Sequence, residues 1–212
     1  MTYIEKFKSS GLFDLGNDIT EIAIDSILNE GLLKEIPIIK TISTFYKTGK
    51  SIKDQFILRK IISFLNGCNG LSVKEAEDFV QSFENEEMAK EFGMRLLLLI
   101  DKADDIKKAE LIGRLYILLL KREFDSKFYL RLCYMINKCF YDDILCLNFF
   151  EDEESILTST NEVVDTIVLE NLFSSGLISE YGFDGGDASG KNSGTRYGLN
   201  DYGIQLKKIL SK

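Results

Sequence analysis

A single proline, Pro37, interrupts 212 residues, and this scarcity of breakers constrains the fold more than any other feature. Proline removes a backbone donor and clashes with the preceding helical turn, so a chain nearly free of it accommodates long helices at little cost. The apolar pattern uses that freedom. Ile19, Ile22, Ala23, Ile27 and Leu28 recur at helical spacing behind Asn17 or Asp18, with Glu21 at the capping-box position. Pro37 suits the first turn of a second helix, on which Ile38, Ile42, Phe45, Ile52 and Phe56 share a face with Gly49. A glycine there allows close helix approach or a kink. Asn66-Gly67 ends that segment, and Ser72 with Glu75 opens a third helix.

A fourth helix is expected over 86–103, with Leu96 to Ile100 apolar all round. Asp101 to Asp105 reads as a turn whose aspartates cap the next helix, 106–122. Asp125 or Ser126 starts another, which runs through Phe140 and on toward Phe149. Glu151 to Glu154 then break the pattern and mark a boundary between units 1–150 and 155–212. In the tail, the pattern predicts a helix from Thr158 or Ser159 to Gly176 and a strand over Leu177 to Phe183. A glycine-rich loop, a returning strand over Thr195 to Leu199 and a last helix from Asp201 follow. The expected class is mainly α: an N-terminal helical bundle, then a helix, a two-stranded wing and a closing helix.

Charge is laid out in blocks. Residues 32–66 carry seven basic and two acidic side chains, whereas residues 139–190 carry twelve acidic ones and no lysine or arginine. The first block gives a basic face with Lys40, Lys47, Lys50 and Lys53; the second an acidic face with Glu162, Asp165 and Glu170. Each is a candidate interaction surface, and one could serve the other in a homo-oligomer. The basic amphipathic stretch 34–65 also fits an alternative role on an anionic membrane surface. The acidic block argues against nucleic acid, because lysine and arginine must neutralise phosphates.

Several chemistries are excluded outright. The chain has no histidine, which rules out Ser-His-Asp and Cys-His catalysis and HExxH metal sites. Cys68, Cys133, Cys139 and Cys146 lack paired zinc spacing and read as reduced, mostly buried thiols. With no signal peptide or membrane-length apolar run in view, the expected compartment is the cytoplasm. Gly185 to Asn192 comes within one residue of a phosphate-binding loop but has Asn192 where serine or threonine is needed, and it leads into a strand. Asp142, Asp143 and Glu151 to Glu154 sit at a helix end and in a linker without a basic orienter. No catalytic, cofactor-binding or metal residue is assigned, no small-molecule substrate is identified, and the chain is expected not to be an enzyme.

Leu169, Leu172, Gly176, Leu177 and Ile178, followed by Tyr197, Leu199, Asn200, Tyr202, Gly203 and Leu206, resemble the winged-helix domains of bacterial regulators. In that family Gly-Leu-Ile turns the recognition helix into the wing, and Tyr-x-Leu-Thr-x-x-Gly turns the wing into the final helix. Asn200 stands where threonine is usual. The resemblance implies the fold and a DNA-binding regulator as an alternative function, with Lys191 and Arg196 at the wing tip as its phosphate contacts. The helix it assigns to the groove carries Glu162, Asp165 and Glu170 and no basic residue. Around Asp101 to Asp105 the chain is weakly similar to TerB-like helical bundles, which would imply metal binding by Asp101, Asp104 and Asp105; capping explains those residues equally. The whole arrangement resembles bacterial proteins met near phage-defence genes. The leading expectation is a non-catalytic protein-interaction or regulatory protein in a bacterial stress or phage-defence system.

Overall fold

The structure is a computed structural model and describes residues 52–68, 73–151, 155–160, 162–189 and 192–210. It is mainly helical with one small antiparallel sheet. The chain divides into two compact units, 1–125 and 126–212. The expected helix from Asn17, the turn at Pro37, Gly49 and the Ser72 cap lie outside the described residues.

In the first unit, α1 (Ile52–Gly67), α2 (Val73–Gln81), α3 (Glu86–Lys102) and α4 (Ile106–Leu120) follow one another. α1 and α4 pack along their lengths, and glycines set their spacing. A Cβ on Gly113 would lie 2.0 Å from the Phe64 carbonyl oxygen, and one on Gly67 2.1 Å from that of Glu110. The backbones therefore touch. Around the seam, Tyr116 meets Phe64 at a tilt and Phe79 edge-on, and Phe79 continues to Phe83 and Phe92. Such tilted and edge contacts suit the ring quadrupoles.

The α3–α4 turn is held by its own aspartates and by α1. Asp105 caps α4 by accepting from the Lys107 amide at 2.7 Å, and Asn85 caps α3 through the Met88 amide at 2.9 Å. Lys60 donates to the Asp101 carbonyl at 2.5 Å and Ser63 to the Ile106 carbonyl at 2.8 Å. Asp104 pairs with Lys108 at 2.5 Å, and that lysine is only 1 % exposed. A charge so buried needs a partner, and the aspartate one turn earlier supplies it.

The second unit contains α5 (Ser126–Lys138), α6 (Tyr141–Leu145), a 3-10 turn (Cys146–Phe149), β1 (Ser155–Leu157), α7 (Thr166–Ser175), β2 (Ile178–Asp184), β3 (Gly194–Leu199) and α8 (Asp201–Leu210). The sheet order is β1-β3-β2, all antiparallel. Its core combines Tyr129, Leu132, Ile144, Leu147, Leu169, Leu172, Ile178, Leu206 and other fully buried side chains.

Two expectations are corrected here. The helix expected from Ser126 toward Phe149 breaks at Cys139–Phe140, where Phe140 is extended (φ −62°, ψ 142°) and restarts the chain as α6. The carboxylates Asp142 and Asp143 occupy the first turn of that short helix, where its positive end favours them. The helix expected from Thr158 or Ser159 starts instead at Thr166. Thr158 exchanges bonds with Thr195: its amide donates to the Thr195 carbonyl and its hydroxyl accepts from the Thr195 amide, both at 3.1 Å. That pairing continues β1 against β3, so the sheet has three strands rather than two. Asp165 then caps α7 by accepting from the Ile167 amide at 2.8 Å.

Candidate functional site

The exposed face of α7 and the adjoining hairpin are the surface with the most unspent chemistry. α7 buries Leu169, Leu172 and Ser175 and leaves Ile167, Glu170, Asn171 and Ser174 outward. Val163, four residues before Ile167, is exposed as well; both are about two-thirds exposed, each at 65 %. The helix ends at Gly176 in the left-handed conformation (φ 89°), which admits glycine without strain, and the chain turns straight into β2. Asn171 donates to Asp143 of α6 at 3.0 Å, so the acidic first turn of α6 lies alongside α7.

The hairpin extends that surface. β2 leaves Glu180, Tyr181 and Phe183 outward, with Phe183 71 % exposed. Glu180 opposes Tyr197 and Phe183 opposes Thr195, so three steps along β2 match two along β3. The extra residue is a bulge, and Gly182 within it has φ 104°. Tyr181 reaches across the hairpin and donates to the Leu199 carbonyl at 3.3 Å. Phe173 of α7 packs on Tyr197 with ring centroids 5.6 Å apart, which joins helix and hairpin.

Arg196 is committed elsewhere. Its Nε and Nη2 donate to one Asp184 oxygen at 3.1 and 2.5 Å, and Nη1 reaches Ser155 Oγ at 3.5 Å. The Gly186 amide and the Arg196 guanidinium together hold the Asp184 carboxyl below its ordinary range. A guanidinium already forked onto a carboxylate is a poor phosphate contact, because a phosphate would have to displace that pair. At the end of β3, Asn200 accepts from the amides of Tyr202 and Gly203, both at 3.1 Å, and donates to the Gly176 carbonyl at 2.9 Å. It caps α8 and ties the two ends of the hairpin together. Threonine lacks the amide donor for the second task.

The other candidate residues divide clearly. Glu162 and Asp165 are exposed but precede α7 and are not on it, with Asp165 spent as its cap; Glu170 alone of the three lies on the helix. Lys40, Lys47, Lys50 and Lys191 lie outside the described residues, and for Lys53 only its place in α1 is described. Among the described residues the cysteines form no disulfide; Cys68, Cys133 and Cys139 are buried, and burial raises the thiols of Cys68 and Cys133 far above their ordinary value. Asp104 and Asp105 are occupied by an ion pair and a cap, and no cluster of three or more histidine, cysteine or acidic side chains is arranged to hold a metal among the described residues. No helix among them is long and apolar enough to cross a membrane.

Sequence reasoning missed Lys108, Phe173, Glu180 and Tyr197. Lys108 had a signal: it falls in register with Leu111, Ile112, Leu115 and Leu119 on the apolar stripe of α4. Glu180 meets Tyr197 through the strand register, and Phe173 meets it through the packing of α7 on the hairpin. Comparison with protein-family models, with curated proteins and with solved structures finds no match to this chain.

Proposed function

We propose that this chain is a non-catalytic protein-interaction module in which α7 and the β2–β3 hairpin dock a partner of basic and apolar character. We further propose that its second unit is a winged helix. The strand order β1-β3-β2, with α7 leading into β2 and α8 following β3, supports that architecture. The observation that carries the function is α7 itself. In winged helices and related readers the corresponding helix enters the major groove and touches phosphates and base edges. Here it runs TIVLENLFSS, with no lysine or arginine, and offers Ile167 and Glu170 outward. An exposed apolar side chain beside an acidic one suits a protein surface and repels a phosphate backbone.

The test has two arms. Fluorescence anisotropy with a labelled random duplex at low salt should show no binding. A random peptide library selected against the immobilised full chain should enrich sequences that combine large apolar residues with arginine or lysine, and Ile167→Asp should abolish their capture. Duplex binding that weakens steeply with salt, or enrichment without a basic preference, overturns the reading.

A further inference from the structure

Glu170 and Glu180 belong to different elements yet converge on one tyrosine. Glu180 stands opposite Tyr197 in the β2–β3 register. Glu170 precedes Phe173 by three residues on α7, and the Phe173 ring packs against Tyr197. Burial, and then the charges of Glu180 and Glu170, push the Tyr197 phenol above its ordinary value, so both carboxylates act on it. The tyrosine is 8 % exposed, and its hydroxyl has no hydrogen-bond partner among the described residues. Neither glutamate side chain has an ion pair or hydrogen bond among those residues either. Arg196, next to Tyr197 in β3, is turned to Asp184 and Ser155 and neutralises neither.

Two unneutralised carboxylates, a phenol oxygen with spare capacity and an aromatic ring together suit one ligand, a cation. The acidic block that holds both glutamates brings no cation of its own, since residues 139–190 contain no lysine or arginine. A guanidinium meets all of these groups at once. It carries five donors in a planar fork that suits carboxylates, and its plane packs on aromatic rings. We propose that Glu170, Phe173, Glu180 and Tyr197 form the seat for one arginine side chain of a protein partner. This rests on the reading of α7 and the hairpin as a protein-docking face and names what that face recognises.

The seat is tested on the full-length chain with a capped nona-arginine peptide as the probe, by calorimetry and by amide chemical shifts. The peptide should bind at low salt and move the resonances of Glu170, Phe173, Glu180 and Tyr197 most. The double variant Glu170→Gln/Glu180→Gln should bind about tenfold more weakly, as expected for loss of two partly exposed charge pairs. Asp142→Asn/Glu151→Gln removes the same charge from exposed positions of the same acidic block. It should weaken binding no more than about twofold, as general attraction does when screened over a Debye length. Tyr197→Phe keeps the ring and should fall between the two. Equal weakening by both double variants overturns the seat and leaves the docking face standing. No binding of nona-arginine to the unaltered chain overturns both.

Discussion

Gly113→Ala sets two physical effects against each other, and the structure decides between them. In an isolated helix the change favours folding, since alanine exceeds glycine in helix propensity by about 1 kcal/mol. In this chain the new methyl carbon would stand 2.0 Å from the carbonyl oxygen of Phe64, 2.9 Å from the carbon of that group and 3.0 Å from Cα of Gly67. All three are backbone atoms of α1, so no rotamer change relieves the overlap. Restoring an ordinary contact requires α1 and α4 to part by roughly 1.4 Å at this point, and a gap of that order forfeits much of the dispersion energy along the seam. Overpacking of this kind costs about 3 kcal/mol when the obstacle cannot yield. The net expectation is a destabilisation of about 2 kcal/mol after the propensity gain. Gly67→Ala meets the Glu110 oxygen at 2.1 Å and should cost a similar amount. The double variant should cost clearly less than the two together, because helices already parted by one methyl accept the second. Urea unfolding followed by circular dichroism at 222 nm measures this. With a slope of ~2 kcal/mol per molar urea, the midpoint should fall by about 1 M in each single variant. An unchanged or raised midpoint for Gly113→Ala refutes the argument, for it would mean that propensity wins and that the backbones of α1 and α4 are not in contact.

Two further predictions concern the second unit. Asn200→Ala should cost about 2 kcal/mol in urea unfolding, from the lost cap on α8 and the unpaired Gly176 carbonyl, while Asn200→Thr should recover roughly half by restoring the cap alone; equal losses would place the whole effect in the tie, and full recovery by threonine would place it in the cap. The Asp184–Arg196 pair is pH-dependent with a definite sign. The folded carboxyl is held below its ordinary value, so its contribution is present above the unfolded value and is lost as the pH falls through the lowered one. Carboxyl chemical shifts should show Asp184 titrating below the ordinary aspartate range in the unaltered chain and returning toward it in Arg196→Gln; no movement would assign the shift to the Gly186 amide alone.

Where periodicity and punctuation agree, the chain is readable. α3 and α4 come from apolar spacing bounded by an acidic turn, and Asp105 caps as a residue of that type in that position should. Gly176 stops α7 and a glycine-rich loop joins β2 to β3 for equally local reasons. The failures share a cause: they depend on what the chain meets elsewhere. β1 is three residues long, too short to show alternation, and is a strand because β3, some forty residues later, pairs with it. Lys138 to Tyr141 contains neither glycine, proline nor a capping side chain, so the break before α6 leaves no local mark. The same holds for the site. Glu180 belongs to an acidic block visible in the sequence, but its place opposite Tyr197 lies beyond a bulge that counting back from the hairpin loop does not reveal.

On the proposed winged-helix reading, the hairpin sorts its charges by face. Neighbouring residues of a strand project to opposite faces, so Arg196 and Tyr197 serve different surfaces. On one, the arginine is consumed by Asp184 and tied to Ser155, and its charge stiffens the hairpin. On the other, Tyr197 meets Phe173 and stands opposite Glu180. Apolar positions and turn residues can therefore hold such a fold while the charges are sorted by face: positive charge spent within the hairpin, negative charge left outward next to α7. A phosphate backbone would meet a committed arginine and two open carboxylates. A cationic side chain would meet the carboxylates, the phenol and the ring. That difference in what each ligand meets is the physical reason to expect a protein partner on this face.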